Sequence, residues 1–246
     1  MNKLSLLFFF VIFPNLIFSQ EADKIIKKFY NTCGKQEDWK KINSMKLRSI
    51  SISEANEIHD ILRIEGVLYS QSEDKFLLEK IESPIEKVNM LFDGKTAYFI
   101  YKDSTYKRIK LIEQIVAQKP SIYSVNIFFG KRLYNFSEKM NNVSYVKDTS
   151  YQNKNYHILL LKENKNNIYI YINSKTGFID FFRNKTAFVE LSNYKKVGKV
   201  LIPHTKKNYI FENGEMRKDS QEDIVSIELN CKFPANLFYL ETHTKK

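Results

Sequence analysis

Apolar residues recur along this chain at two spacings, and the spacing changes several times. From Glu21 to Cys33, Ala22, Ile25, Ile26, Phe29, Tyr30 and Cys33 fall on one face of a helix. Glu21 and Asp23 sit at its positive end, and Gly34 stands where a helix-ending residue is favoured. A short turn or helix around Trp39 and Ile42 follows. From Met45 the period drops to two. Strands are predicted over Met45–Ser53, Ile58–Ser70 with a bend at Gly66, Lys75–Ser83, Glu86–Phe92 and Lys95–Tyr101. Asp93-Gly94 between the last two is a hairpin signal, because both residues tolerate positive φ.

Residues 103–140 return to helical spacing. Ile109, Leu111, Ile112, Ile115 and Val116 lead up to Pro120, and Ile122, Val125, Phe128, Phe129 and Leu133 follow it, predicting two short helices. Strands resume at Val143 and continue through Tyr156–Glu163, Asn167–Asn173, Gly177–Thr186, Phe188–Lys196, Lys199–His204, Lys206–Glu212 and Asp223–Cys231. There is no Gly/Ser-rich linker and no long repeat. The pattern predicts an α+β domain: one curved antiparallel sheet with helices packed on its inner side.

Two strands carry more than ordinary alternation. Val88, Met90 and Phe92 alternate with Asn89 and Leu91, and Ile168, Ile170 and Ile172 alternate with Tyr169 and Tyr171. If the helices do not fill the concavity, an apolar pocket remains. Its candidate lining from the strands is Phe76, Leu78, Met90, Phe92, Phe99, Ile170 and Phe182. Ile112, Ile115, Phe128 and Phe129 would add to it from the helical stretch. Such a lining suits acyl chains, each buried methylene contributing about 0.8 kcal/mol. The alternative is that all of these residues are plain core.

Residues 1–20 stand apart. Lys3 precedes an apolar run from Leu4 to Phe13, and Ser19-Gln20 leads into Glu21, the plan of a secretory leader. The other reading is an uncleaved anchor, although the run falls short of the ~20 residues that span a bilayer. Cleavage after Ser19 and after Gln20 both fit, and the Ser-Gln ending resembles leaders of Bacteroidetes. No Cys stands there, so no lipid anchor is expected. The expected domain is therefore 21–246, in the periplasm of a Gram-negative bacterium.

The formal net charge is +11, and losing a leader with one Lys and no acid leaves +10. Lys dominates it and is spread along the whole chain. Biased composition explains that spread, and an anionic membrane surface is the alternative partner. Nucleic acid is not expected for an exported protein. Cys33 and Cys231 either form a disulfide, worth about 4–5 kcal/mol across so long a loop, or are two separate thiols.

Catalytic patterns are missing from the sequence. The four His are scattered, there is no HExxH, no G-x-S-x-G and no Gly-rich phosphate loop. No enzyme activity, metal or cofactor is expected.

Several segments in order resemble one family. Gly66 to Glu79, with Asp74-Lys75-Phe76, precedes Asp93-Gly94-Lys95-Thr96-Ala97-Tyr98. Tyr169 to Phe182 contains a Thr176-Gly177 hairpin, with Asn173 where the family usually has Asp. Tyr194–Pro203 and Ile227–Phe238 close the chain. Together they resemble the LolA-like outer-membrane lipoprotein-sorting family, the LolA/LolB/LppX half-barrel superfamily. The resemblance implies a half-barrel of about eleven strands under a helical lid, for which 107–136 is the natural candidate by position. It implies a monomeric periplasmic carrier whose partners are lipid or lipoprotein acyl chains. A cell-envelope scaffold or sensor of the same fold, without lipid, is the alternative. The lid-latching Arg of characterised carriers has no assigned equivalent at Arg48 or Arg63.

Overall fold

The computed structural model describes residues 20–54, 61–71, 75–82, 88–94, 97–101, 143–163, 166–185, 187–212 and 215–244. The leader segment, the helices expected within 103–140, and with them Ile112, Ile115, Phe128 and Phe129, lie outside the described residues.

Helix α1 covers 20–33 and a short α2 covers Gln36–Lys40. Five strands follow: β1 (Ser44–Ser53), β2 (Leu62–Gln71), β3 (Lys75–Glu82), β4 (Val88–Phe92) and β5 (Ala97–Tyr101). Seven more run from β6 (Val143–Tyr151) through β7 (Lys154–Glu163), β8 (Asn166–Asn173), β9 (Ile179–Arg183), β10 (Ala187–Val197) and β11 (Val200–Glu212) to β12 (Glu215–Leu229). A last turn of helix, α3, spans Leu240–Thr244.

All described strands form one antiparallel sheet in the order β5-β4-β3-β2-β1-β12-β11-β10-β9-β8-β7-β6. It has twelve strands where about eleven were expected. The first and last described strands lie side by side near its centre, and its two edges, β5 and β6, are consecutive among the described strands. This is an up-and-down barrel left open at one seam, a half-barrel.

The inner face carries α1. Ala22, Ile25, Ile26, Phe29, Tyr30 and Cys33, the predicted stripe, are all at most 5% exposed and form one core with strand residues. Met45 and Leu47 of β1, Leu159 and Leu161 of β7, Ile168, Ile170 and Ile172 of β8, and Ile202 of β11 supply the sheet side. Period-two alternation puts these on one face and their neighbours on the other.

Two predictions at the closing meander need correction. Lys199–His204 and Lys206–Glu212 were expected as separate strands, but β11 runs unbroken through Pro203 and Thr205. Pro203 pairs with Tyr194 on the β10 side, while pairing with β12 begins only at Thr205, so its missing N–H removes no ladder bond there. Likewise β12 starts at Glu215 rather than Asp223. Its polar first half holds strand form through cross-strand partners. Lys206 Nζ lies 3.3 Å from Glu222, Thr205 donates to Asp223 at 2.8 Å and Asn208 donates to Ser220 at 2.8 Å.

Asn230, at φ 56°, ends β12, and its Oδ1 accepts from Asn43 N at 2.9 Å. Beyond it the tail crosses the outer face of β3–β5. Phe238, 2% exposed, forms a second core with Leu77, Leu91 and Ile100. Tyr69, Tyr98, Phe233, Leu237 and Leu240 pack around it. The tail is therefore a strap that buries the outward side chains of strands whose inward side chains face the first core.

Candidate functional site

The candidate site is the inner face, and alternation decides which residues reach it. On β3, Phe76 and Leu78 turn inward while Leu77 meets the strap; on β4, Met90 and Phe92 turn inward while Leu91 meets it. Strand pairing sets Phe76 opposite Phe92 and Leu78 opposite Met90. The Phe76 and Phe92 rings lie 5.7 Å apart. Phe99 pairs in register with Met90 across β4 and β5. Ile170 and Phe182 are register partners on β8 and β9. The structure thus gathers Phe76, Leu78, Met90, Phe92, Ile170 and Phe182 around one core shared with α1.

They are not equivalent. Ile170, beneath the helix, is fully buried, and Phe76 and Phe92 nearly so. Leu78, Met90 and Phe182 remain half-buried. Half-buried apolar side chains thus remain on the inner face toward β3 and β4 and, at Phe182, on β9.

The seat of α1 is specific. The β8–β9 turn reaches up to the helix: Lys28 Nζ donates to Ser174 O, and Thr32 Oγ1 donates to Thr176 O at 3.0 Å. Asn173 builds that turn. Its Oδ1 accepts from the backbone N–H of Lys175 at 3.0 Å and of Thr176 at 3.1 Å, while its Nδ2 donates to Asp180 at 3.0 Å. An Asp in its place would set a carboxylate against Asp180, so the amide has a structural reason. Just past the C-terminus of α1, Gly34, at φ 114°, lets β11 approach; a Cβ there would lie 2.8 Å from Lys199 O.

Further along the sheet the inner face becomes polar. From Val200 and Ile202, alternation carries His204, Lys206 and Asn208 to the same side. His204 is 7% exposed with Nδ1 against Ile202 O at 2.9 Å. Ser49 donates to Glu222 at 2.8 Å, and Lys206 pairs with the other Glu222 oxygen. The inner face is thus amphipathic along β11 and β12, apolar under the helix and hydrogen-bonded beyond it.

Sequence reasoning missed one His–carboxylate contact. His157 Nδ1 lies 2.7 Å from Asp148, its register partner across β6 and β7. The imidazole contact holds the Asp148 carboxyl below its ordinary range, and a hydrogen bond from Tyr145 adds to it. The signal lay in the hairpin: Gln152 and Asn153 both take positive φ, 48° and 61°, forming a two-residue turn that fixes this register. Gln-Asn is not the usual spelling of such a turn.

Arg48 and Arg63 both lie on the outer face, where each pairs with the buried Glu65. Cys33 sits at 0% exposure in the helix–sheet core, and burial pushes its thiol up to about 12. Cys231 is half-buried in the strap with Sγ 3.3 Å from Glu228 O, and both thiols are free in this structure. Among the described residues no group of three His, Cys, Asp or Glu is placed to hold a metal, and no helix is long and apolar enough to cross a membrane.

No protein-family model matches the chain, and no curated protein matches it. Solved structures do. A LolA superfamily protein from Nitrosomonas europaea aligns over 90% of this chain and 98% of its own, with TM-score 0.59 and 14% identity. A domain from Vibrio parahaemolyticus described as outer-membrane lipoprotein-sorting aligns over 92% and 100%, with TM-score 0.62 and 11% identity. A DUF1329 family protein from Desulfovibrio piger aligns over 90% and 98%, with TM-score 0.57 and 10% identity. At these identities the likeness concerns the fold. The protein is a LolA-like half-barrel, as the order of its hairpin motifs implied.

Proposed function

We propose that this protein is a non-enzymatic carrier that takes acyl chains of a lipid or lipoprotein onto the inner face of its half-barrel. The observation that carries this reading is the uneven cover of that face. Helix α1 packs on it and Ile170 is fully buried, while Leu78 and Met90 stay half-buried beside the Phe76–Phe92 pair, as does Phe182 on β9. A sheet that keeps large apolar side chains partly open, beside a wholly sealed core, has room to exchange contacts for a ligand's methylenes. The polar row at Ser49, Lys206, Asn208 and Glu222 supports the reading, because it gives an amphipathic ligand a place for its head group. The leader-like first twenty residues support an exported protein working in the periplasm.

Chain length tests it. Each methylene buried adds about 0.8 kcal/mol, so four more, from laurate to palmitate, add about 3 kcal/mol, or roughly 200-fold in affinity. Displacement of a fluorescent fatty acid by the two should show that order. Absence of saturable binding, or equal affinity for both chains, would refute the carrier reading.

A further inference from the structure

The outer face of β6–β9 holds a second feature that acyl binding does not use. An open pocket of about 580 Å³ lies there, on the side of the sheet away from α1. Its floor is Ile158, 4% exposed, and its walls include the half-buried rings of Tyr169 and Tyr171. Three cations converge on it: Lys147 from β6, Arg183 from the end of β9, and Lys185 from the turn that follows. Asn167 and Asn184 add amides at the rim, and among the described residues no carboxylate lines it.

Strand register explains the convergence. Lys147, Ile158 and Tyr171 are successive partners across β6, β7 and β8, and Tyr169 pairs with Arg183 across β8 and β9. A bulge at Val146 breaks the β6 alternation and turns Lys147 to the Ile158 side. Arg183 is held by stacking, its guanidinium carbon 5.1 Å from the centre of the Phe211 ring. A guanidinium stacked on its face keeps its N–H edge available for an anion.

Three cations gathered round one pocket without an acid mark this part of the sheet. Several cations elsewhere on the sheet meet acids: Lys154 with Asp180, Lys206 with Glu222, Lys207 with Glu190, Lys218 with Glu54, and both Arg48 and Arg63 with Glu65. Among the described residues, Lys147, Arg183 and Lys185 have no such partner. The hydroxyls of Tyr169 and Tyr171 likewise bond to no protein group there.

We propose that this pocket binds an acidic sugar or cyclitol, one carrying a phosphate or a carboxylate, free or as a lipid head group. The three cations take the acid, Arg183 through its fork. The tyrosine rings take the apolar face of the sugar ring, and the Asn167 amide with the tyrosine hydroxyls takes its hydroxyls. The volume lies in the range of small-molecule sites. The proposal is independent of acyl binding, which concerns the opposite face.

Calorimetry on the full chain tests it with glucose 6-phosphate and glucuronate, against glucose and inorganic phosphate as controls. At least one acidic sugar should bind saturably and at least tenfold more tightly than either control, more weakly as salt rises. Flotation with phosphatidylcholine vesicles, with and without phosphatidylinositol 4-phosphate, separates the sources. Capture only by the phosphoinositide vesicles, without free-sugar binding, assigns the ligand to a membrane head group. Lys147→Gln/Lys185→Gln alters exposed side chains and should weaken whichever binding is seen at least tenfold while leaving the far-UV spectrum and the displacement of a fluorescent fatty acid unchanged. The proposal is overturned if neither the acidic sugars nor the phosphoinositide vesicles bind, if inorganic phosphate alone binds as tightly, or if the double variant binds as well as the parent.

Discussion

Gly177→Ala tests whether α1 is a fixed part of the wall. Gly177 has φ 78°, and a Cβ there would lie 2.6 Å from Thr32 Oγ1 and 3.3 Å from Lys28 O. The left-handed backbone costs alanine about 1–2 kcal/mol. The overlap with Thr32 adds about 1–2 kcal/mol, at the low end of overpacking because Oγ1 ends a side chain. The total of about 2–4 kcal/mol is a large part of the ~5–15 kcal/mol that stabilises an ordinary domain. Thr32→Ala alone removes one hydrogen bond to Thr176 O and costs about 1 kcal/mol. It also removes the atom that Gly177→Ala strikes. The double variant should therefore be more stable than the two single losses predict, by about 1–2 kcal/mol. Urea unfolding of the four proteins gives this coupling directly. Additivity within about 0.5 kcal/mol, or a neutral Gly177→Ala, would refute the idea that the β8–β9 turn is built against the helix.

Two further outcomes follow from the cores. Phe238→Ala should cost about 3–5 kcal/mol and raise amide exchange in β3 and β4, because Leu77 and Leu91 lose their cover; unchanged protection would mean the strap is ornamental. Cys33 should resist thiol reagents at neutral pH until denaturant is added. Its folded value is raised, from 9.0 to about 12, so its contribution to stability is complete below pH 9 and is lost as pH rises toward 12. Over that window the parent should lose up to about 1.4 kcal/mol per pH unit more than Cys33→Ala does, and equal slopes would contradict a sealed thiol.

Much of the fold was legible because periodicity is local. The helix stripe from Ala22 to Cys33, the Asp93-Gly94 turn and the alternation on β8 all report burial directly. The closing meander was read less well. Polar residues from Glu215 to Asp223 look like a loop when partners are unknown, and they become a strand only because Lys206, Asn208 and Glu54 lie opposite or beside them. Pro203 looked like a stop, yet a strand paired on one side tolerates it. The site was legible as a face but not as a surface: alternation named Met90 and Ile170 equally, and only the position of α1 distinguishes the half-open residue from the sealed one. The strap, the Asp148–His157 contact and the outer cationic pocket were invisible, since each joins residues brought together by register rather than by sequence spacing.

The carrier reading is tested most directly by light-activated crosslinking with a diazirine-bearing palmitate, followed by peptide mapping. Adducts should fall on the half-buried inward residues of the inner face, Leu78, Met90 and Phe182 first, and excess palmitate should suppress them. Adducts confined to the outer face, or labelling that excess palmitate leaves unchanged, would contradict it.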